Sequence, residues 1–339
     1  MRVAGQVLVL ILGLHIAPTV LAQASNLPDP GRAAPAAKQS AATVLPQEIA
    51  QKAMQEFRED RLPDAIQKVK PFAERADHDA EYLMGLFMES LPGATFGNYR
   101  EAAIWYWRAA QAGLPAAMNN LAALHVDGKG VPVDYGIARL WYQRGSNAGN
   151  ALSQYNLALM NGRGQGAPRD DKAMVLWMRR SADAGFSRAQ AQLGRFYLEG
   201  NGVAADPAQA VAWFRRAAAQ DDVQAQYYLG LSLKTGAGVA QDAAESWLWL
   251  KRASAQGHPL ANWELGRSYE SGDGVPVDAV LSLRYYELAA AGGHVPALRR
   301  LRDVYRNGEL GKLPDSATAA AWEARLGATA RRFPTGVAK

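Results

Sequence analysis

The 339-residue chain contains no cysteine. Disulfide frameworks, thiolate zinc sites, iron–sulfur clusters and cysteine nucleophiles are therefore excluded. It also has little net charge, a formal +5 that becomes +4 once Arg2 is lost with the leader described below. Basic and acidic residues interleave, as in Arg267–Glu270 and Asp303–Glu309. Nucleic-acid binders gather Lys and Arg into a stripe, so no nucleic-acid partner is expected. Beyond the first 22 residues no segment is continuously apolar for the roughly 18 to 20 residues that a spanning helix needs, so no stable membrane anchor is expected.

Against these absences stands an apolar content of 49%, enough for a substantial core, with only 20% charged residues. The opening residues, MRVAGQVLVLILGLHIAPTVLA, carry one positive charge at Arg2, an apolar run from Val7 to Ile16, the breaker Pro18 and small residues before a cut site. This is the pattern of a cleaved signal peptide over 1–22, with cleavage after Ala22 or Ala24, and it predicts a periplasmic or secreted protein. Without cysteine the mature end cannot be lipidated in the bacterial lipoprotein manner. Residues 23–46 are rich in Ala, Pro, Ser and Gln without apolar periodicity, which reads as a flexible linker.

The rest of the chain repeats itself. Leu121, Leu157, Leu193, Leu229, Leu265 and Leu301 are each 36 residues apart, as are Trp105, Trp141, Trp177, Trp213 and Trp249, with Tyr285 in the sixth place. Gly128, Gly164, Gly200, Gly236, Gly272 and Gly308 keep the same step, most with a second glycine two residues on, and an acid recurs at Asp134, Asp170, Asp206, Asp242 and Asp278. The copy RAQAQLGRFYLEGNGVAADPAQAVAWFRRAAAQDD shows what each position does. A first helix (helix A) from about Ser187 to Glu199 buries Ala189, Leu193, Phe196 and Tyr197, and Gly194 lets a neighbour approach. Gly200 caps that helix and Gly202 frees the loop to turn. Asp206 then caps a second helix (helix B), with Pro207 at its first position and Ala210, Trp213, Phe214 and Ala217 on its buried face. One hairpin cannot bury both its faces, so copies must stack. On this reading the tryptophans are core residues.

A 36-residue hairpin with Ala-x-x-x-Leu-Gly-x-x-Tyr, then Gly-x-Gly-Val, Asp, Ala and Trp-Tyr or Trp-Phe resembles the Sel-one-like repeats, relatives of the tetratricopeptide repeats. The glycine pair, as in Gly128-Lys-Gly130-Val131, Gly200-Asn-Gly202-Val203, Gly236-Ala-Gly238-Val239 and Gly272-Asp-Gly274-Val275, separates it from the 34-residue tetratricopeptide unit. The resemblance covers about Asp79 to Leu326 and implies an all-α fold, a right-handed alpha-alpha superhelix of about six to seven 36-residue hairpins. Both ends of the array depart from the pattern. The first copy, about His78 to Gly113, has a loop, SLPGATFGN, two residues longer and without the glycine pair. The last has Leu310 in place of the second glycine, and Asp315 and Trp322 fall one residue late. Terminal copies of such arrays act as caps. Residues 47–77 read as a further helical cap, with Met54, Phe57, Ile66, Val69 and Phe72 to bury, the solenoid runs over 78–326, and 327–339 form a tail.

No residue reads as catalytic. His258 and His294 are 36 apart, which places them roughly 10 Å from each other on stacked copies, too far to share a metal ion. They are turn residues at helix starts, and His125 reads as a packed ring. The Gly-x-Gly elements follow helices and lack the Lys-Ser or Lys-Thr of a phosphate loop. No enzyme, cofactor or metal is expected.

What remains is the inner surface, which the resemblance assigns to helix A. The positions two and five residues either side of the repeated leucine should face that groove. They include Asn119, Tyr155, Arg188, Arg195, Tyr227, Lys234, Trp263, Arg267, Arg299 and Arg306. Arg and aromatic residues are common anchors of interfaces. The resemblance implies a scaffold or adaptor for a protein partner in the cell envelope, regulating a sensor or organising an assembly. A binder of peptidoglycan or another polysaccharide is the alternative.

Overall fold

The computed structural model describes residues 44–332, so the leader, most of the linker and the end of the tail lie outside the described residues. Among the described residues there are sixteen helices and no strand. The chain forms two compact units divided between Asp170 and Asp171. The N-terminal unit contains α1 (Gln47–Arg58), α2 (Leu62–Ala73), α3 (His78–Glu89), α4 (Phe96–Gln111), α5 (Pro115–Asp127), α6 (Tyr135–Asn147) and α7 (Ala151–Arg163). The C-terminal unit contains α8 (Asp171–Asp183), α9 (Ser187–Glu199), α10 (Pro207–Ala218), α11 (Val223–Thr235), α12 (Ala243–Ala255), α13 (Pro259–Ser271), α14 (Ala279–Ala291), α15 (Val295–Asn307) and α16 (Ser316–Arg332). Within each unit every helix packs on its neighbours in the chain, the arrangement of an α–α solenoid.

The repeated residues do what their spacing requires. All six leucines of the register are fully buried. Each would cost about 2–5 kcal/mol to truncate to alanine, because the packed copies around it cannot collapse into the gap. Asp134, Asp206, Asp242 and Asp278 each accept the backbone N–H three residues on, at 2.8–3.0 Å, and so cap helix B. The same four aspartates tie the loop back by donating their own N–H to a carbonyl nine residues earlier, such as Tyr197 O at 2.8 Å for Asp206. Gly194 sits where helix B comes closest: an added Cβ would lie 2.6 Å from the Phe214 ring. In this copy and the next two, helix A therefore carries Leu-Gly, one residue to fill the core and one to admit its partner.

The tryptophans depart in part from a pure core role. Trp105, Trp141 and Trp213 are buried, whereas Trp177 and Trp249 are half-buried. Each of the five carries the guanidinium of the arginine three residues later over its ring, at 4.5–5.0 Å from the centroid. One turn of helix separates the pair, so the arginine lies back along the indole and covers the part that packing leaves open.

The ends differ from expectation in small ways. In the first copy the long loop is shorter than its sequence suggests, because Thr95 and Asn98 form a reciprocal capping box and α4 begins at Phe96. In the last copy Leu310 takes the left-handed conformation, φ 52°, that the missing glycine would have supplied, and its side chain packs on the core of α14 and α15. Asp315 caps α16 through the N–H groups of Ala317 and Thr318 at 3.0 Å, and that helix runs to Arg332, past the expected end of the array at Leu326. At the front, Leu45 is buried and donates its N–H to Asp77 at 2.9 Å, so the linker is already held where the described chain begins.

Candidate functional site

Helix A of successive copies meets its neighbour at two fixed places in the C-terminal unit. The residue two before the register leucine packs on the N-cap histidine of the next copy: Tyr227 stacks on His258 at 4.7 Å between ring centroids, and Trp263 lies 5.1 Å from His294. The residue five after the leucine pairs with the one just before the next leucine. Lys234 bonds Glu264 at 2.9 Å, and Glu270 pairs with Arg300, the same two positions with the charges exchanged. An extended seam of aromatic rings and ion pairs thus runs across α11, α13 and α15.

This seam consumes several of the side chains expected to face a partner. Tyr227 is only 8% exposed, with its hydroxyl pushed up to about 12 by burial and by the charge of Glu264. Trp263 is half-buried, held between Tyr286 and His294 at 5.1 Å each. Lys234 is committed to Glu264, and a second carboxylate, Asp273, lies 3.5 Å away. In the N-terminal unit Asn119 is 4% exposed: it accepts from Asn156 at 3.0 Å and donates to Asn120 at 3.1 Å, an amide chain across α5 and α7. Asn119 and Tyr227 are therefore packing and bridging groups as placed, and the expectation that they face the groove is corrected. Position −2 is covered by the neighbouring copy in both cases, Asn119 by Asn156 and Tyr227 by His258, contacts that a single-helix projection does not contain.

The others stay accessible to different degrees. Tyr155 is half-buried. Arg195 is partly exposed and pairs along its own helix with Glu199 at 3.0 Å. Arg306 is exposed and approaches Glu323 of α16 at 4.0 Å. Arg267 is exposed, with a long 3.6 Å contact to Glu264, an acid already held by Lys234. Arg188 and Arg299 are exposed and make no ion pair among the described residues. Exposed pairs of this kind are worth little, so the cations remain available to an incoming carboxylate. The exposed cations of this face are thus Arg188, Arg267, Arg299 and Arg306, of which Arg267 shares α13 with half-buried Trp263 and Arg299 stands on α15, the next helix A.

Sequence reasoning missed Glu264, Glu270 and Arg300, which organise this face. The signal was present: each pair is 30 residues apart, the distance from position +5 of one copy to position −1 of the next. Among the described residues no group of three or more His, Asp or Glu side chains is arranged to hold a metal ion.

His258 has a second task. Its Nδ1 accepts the Ala261 N–H at 3.2 Å and caps α13, in the place that Asn150 and Asp222 fill in their copies. Nδ1 can accept only when the ring is neutral, and burial lowers its pKa below the ordinary 6.5. The folded chain thus holds this proton less tightly than the unfolded one. Its stabilising contribution is complete above about 6.5 and is lost as pH falls through the lower folded value. His258→Asn keeps a cap that does not titrate. Thermal unfolding of the variant should therefore decline less steeply than the parent between about pH 7.5 and 5.5, whatever the loss of stacking on Tyr227 costs at neutral pH. Parallel pH profiles would remove His258 as a titrating cap.

The model of the Sel1 repeat matches six consecutive segments, residues 78–114, 115–150, 151–186, 187–222, 223–258 and 259–294. Among solved structures, a protective antigen present in uropathogenic Escherichia coli strains, with an SLR fold, is 26% identical over 84% of this chain with a TM-score of 0.70. The chain spans 64% of the length of that antigen. A Sel1 repeat protein from Oxalobacter formigenes is 30% identical, covering 72% of this chain and 99% of its own, with a TM-score of 0.65. No curated protein matches.

Proposed function

The chain belongs to the Sel1 repeat family, whose members serve as protein-interaction scaffolds and are typically non-catalytic, and from that premise we propose that it is an exported adaptor that binds a protein segment on the helix-A face of its C-terminal unit. The observation that carries this reading is that Arg267 and Arg299 are exposed, one on the helix that carries Trp263 and one on the next helix A, while the cation Lys234 is neutralised. Exposed guanidinium groups on a face that also carries a half-buried indole suit a carboxylate-bearing side chain or chain end with an apolar residue beside it. Wall or sugar binding is the less favoured reading. It needs a free aromatic face, and the rings of Tyr227 and Trp263 are taken up by His258, Tyr286 and His294.

Export rests on the leader pattern of residues 1–22, and the chain recovered outside the cytoplasm should begin at Gln23 or Ser25. Retention of Met1 in that fraction would argue against cleavage. For the binding face, envelope proteins captured by the parent are compared with those captured by a chain carrying Arg267→Glu and Arg299→Glu. Both side chains are exposed, so the fold should be unaffected. At least one protein captured by the parent should bind the variant about tenfold or more weakly. An unchanged set would move the site away from this face.

A further inference from the structure

The second helices of the C-terminal unit carry a feature that the adaptor face does not use. In three consecutive copies the helix carries a dibasic pair at the same register: Arg179-Arg180 in α8, Arg215-Arg216 in α10 and Lys251-Arg252 in α12. All six side chains are exposed. The pattern is confined to these copies, since the equivalent residues are Gln143-Arg144 before them and Glu287-Leu288 after. Over the three helices seven cations face three carboxylates. Among the described residues, Arg215 is the one of the six paired cations that meets an acid, Glu245 at 3.2 Å.

The second member of each pair is held by an indole. Arg180, Arg216 and Arg252 lie over Trp177, Trp213 and Trp249 at 4.5–4.6 Å. Of the first members, Lys251 lies over Trp247 at 4.6 Å and Arg179 bonds the Tyr197 hydroxyl. A guanidinium resting on a ring keeps its N–H edge free for an anion and has lost rotamer freedom in advance, so an anion that binds it gives up less entropy.

Three residues before the first cation of α8 and α12 stand Leu176 and Leu248, 50% and 54% exposed, on the same helical face. A free polyanion has no use for exposed leucines. A surface that is anionic at its edge and apolar beneath does, and half-buried Trp177, Trp247 and Trp249 complete the set of residues favoured at a lipid–water boundary. We propose that this face of α8, α10 and α12 docks onto an anionic lipid surface, with the dibasic pairs at the headgroups and the two leucines entering the acyl boundary. Attachment of this kind is peripheral and salt-sensitive. It uses the side of the unit formed by helix B and leaves helix A for a protein partner.

The test uses the chain from Gln23 onward, which keeps every described residue and omits the apolar leader that would itself enter lipid. Co-sedimentation is measured with phosphatidylcholine vesicles, with and without about 30% phosphatidylglycerol. Partition onto the anionic vesicles should be at least about tenfold stronger and fall steeply with salt. Replacing all six cations with Gln should remove that difference. Leu176→Ser with Leu248→Ser disturbs no cation–ring pair, and it should weaken partition severalfold without altering the salt dependence. That second variant decides the matter if the first fails to fold, as read by helical circular dichroism. Equal partition onto neutral and anionic vesicles, absence of partition, or indifference to the leucine pair would each overturn the proposal.

Discussion

A backbone contact between neighbouring copies sets the pitch of each unit. In three of the five loops that have it, the second glycine lies against the start of the preceding copy's second helix so closely that a single methyl group would not fit, and at Gly202 and Gly274 the nearest backbone oxygen would still be only 3.2 Å from an added Cβ. At Gly238 an added Cβ would fall 2.2 Å from the Pro207 carbonyl, at Gly166 2.3 Å from Tyr135 O, and at Gly130 2.2 Å from the Tyr99 carbonyl carbon. Each pair is 31 residues apart, so the contact links loop to helix start at one fixed offset. Side chains can yield and repack, whereas peptide groups in contact cannot. Given that contact, the leucine of helix A, the small residue after it and the aspartate fall into the same place in the five copies from Leu121 to Leu265.

This constraint also accounts for what the sequence revealed and what it hid. Residues serving the contact or the hairpin recur, and their roles were legible: Leu193 in the core, Gly194 opposite Phe214, Asp206 as a cap. The half-exposure of Trp177 and Trp249 was not, because the sequence shows a tryptophan and an arginine three apart without showing that one covers the other. Nor was the burial of Asn119 and Tyr227. A helical projection puts them on an open face, and only the next copy, through Asn156 and His258, covers them. Lys234 reads as a groove residue from its own helix, whereas Glu264, which neutralises it, lies 30 residues away and shares no single motif with it.

Function is left to the residues that do not repeat. On the side of helix A, three copies differ in sign at the paired positions, so that Lys234 with Glu264 and Glu270 with Arg300 are neutralised while Arg267 and Arg299 stay exposed. On the side of helix B, the dibasic pairs occupy three copies and stop at Glu287-Leu288. The two faces share no residue. A scaffold of this kind can change one set of surface residues without disturbing the other, because the stacking contact depends on neither.

The most direct test of that contact compares two glycines of equally unusual conformation. Gly238 has φ 76° and meets Pro207, whereas Gly257 has φ 80° and nothing within 4 Å. Alanine at either site incurs the left-handed strain of about 1–2 kcal/mol, and only at Gly238 must it also displace a neighbouring backbone, for about 1–3 kcal/mol more. Urea unfolding of the two variants isolates the difference. If the stacking contact sets the fold, Gly238→Ala is the less stable by at least about 1 kcal/mol; equal stabilities would show that the glycine pair serves the turn alone.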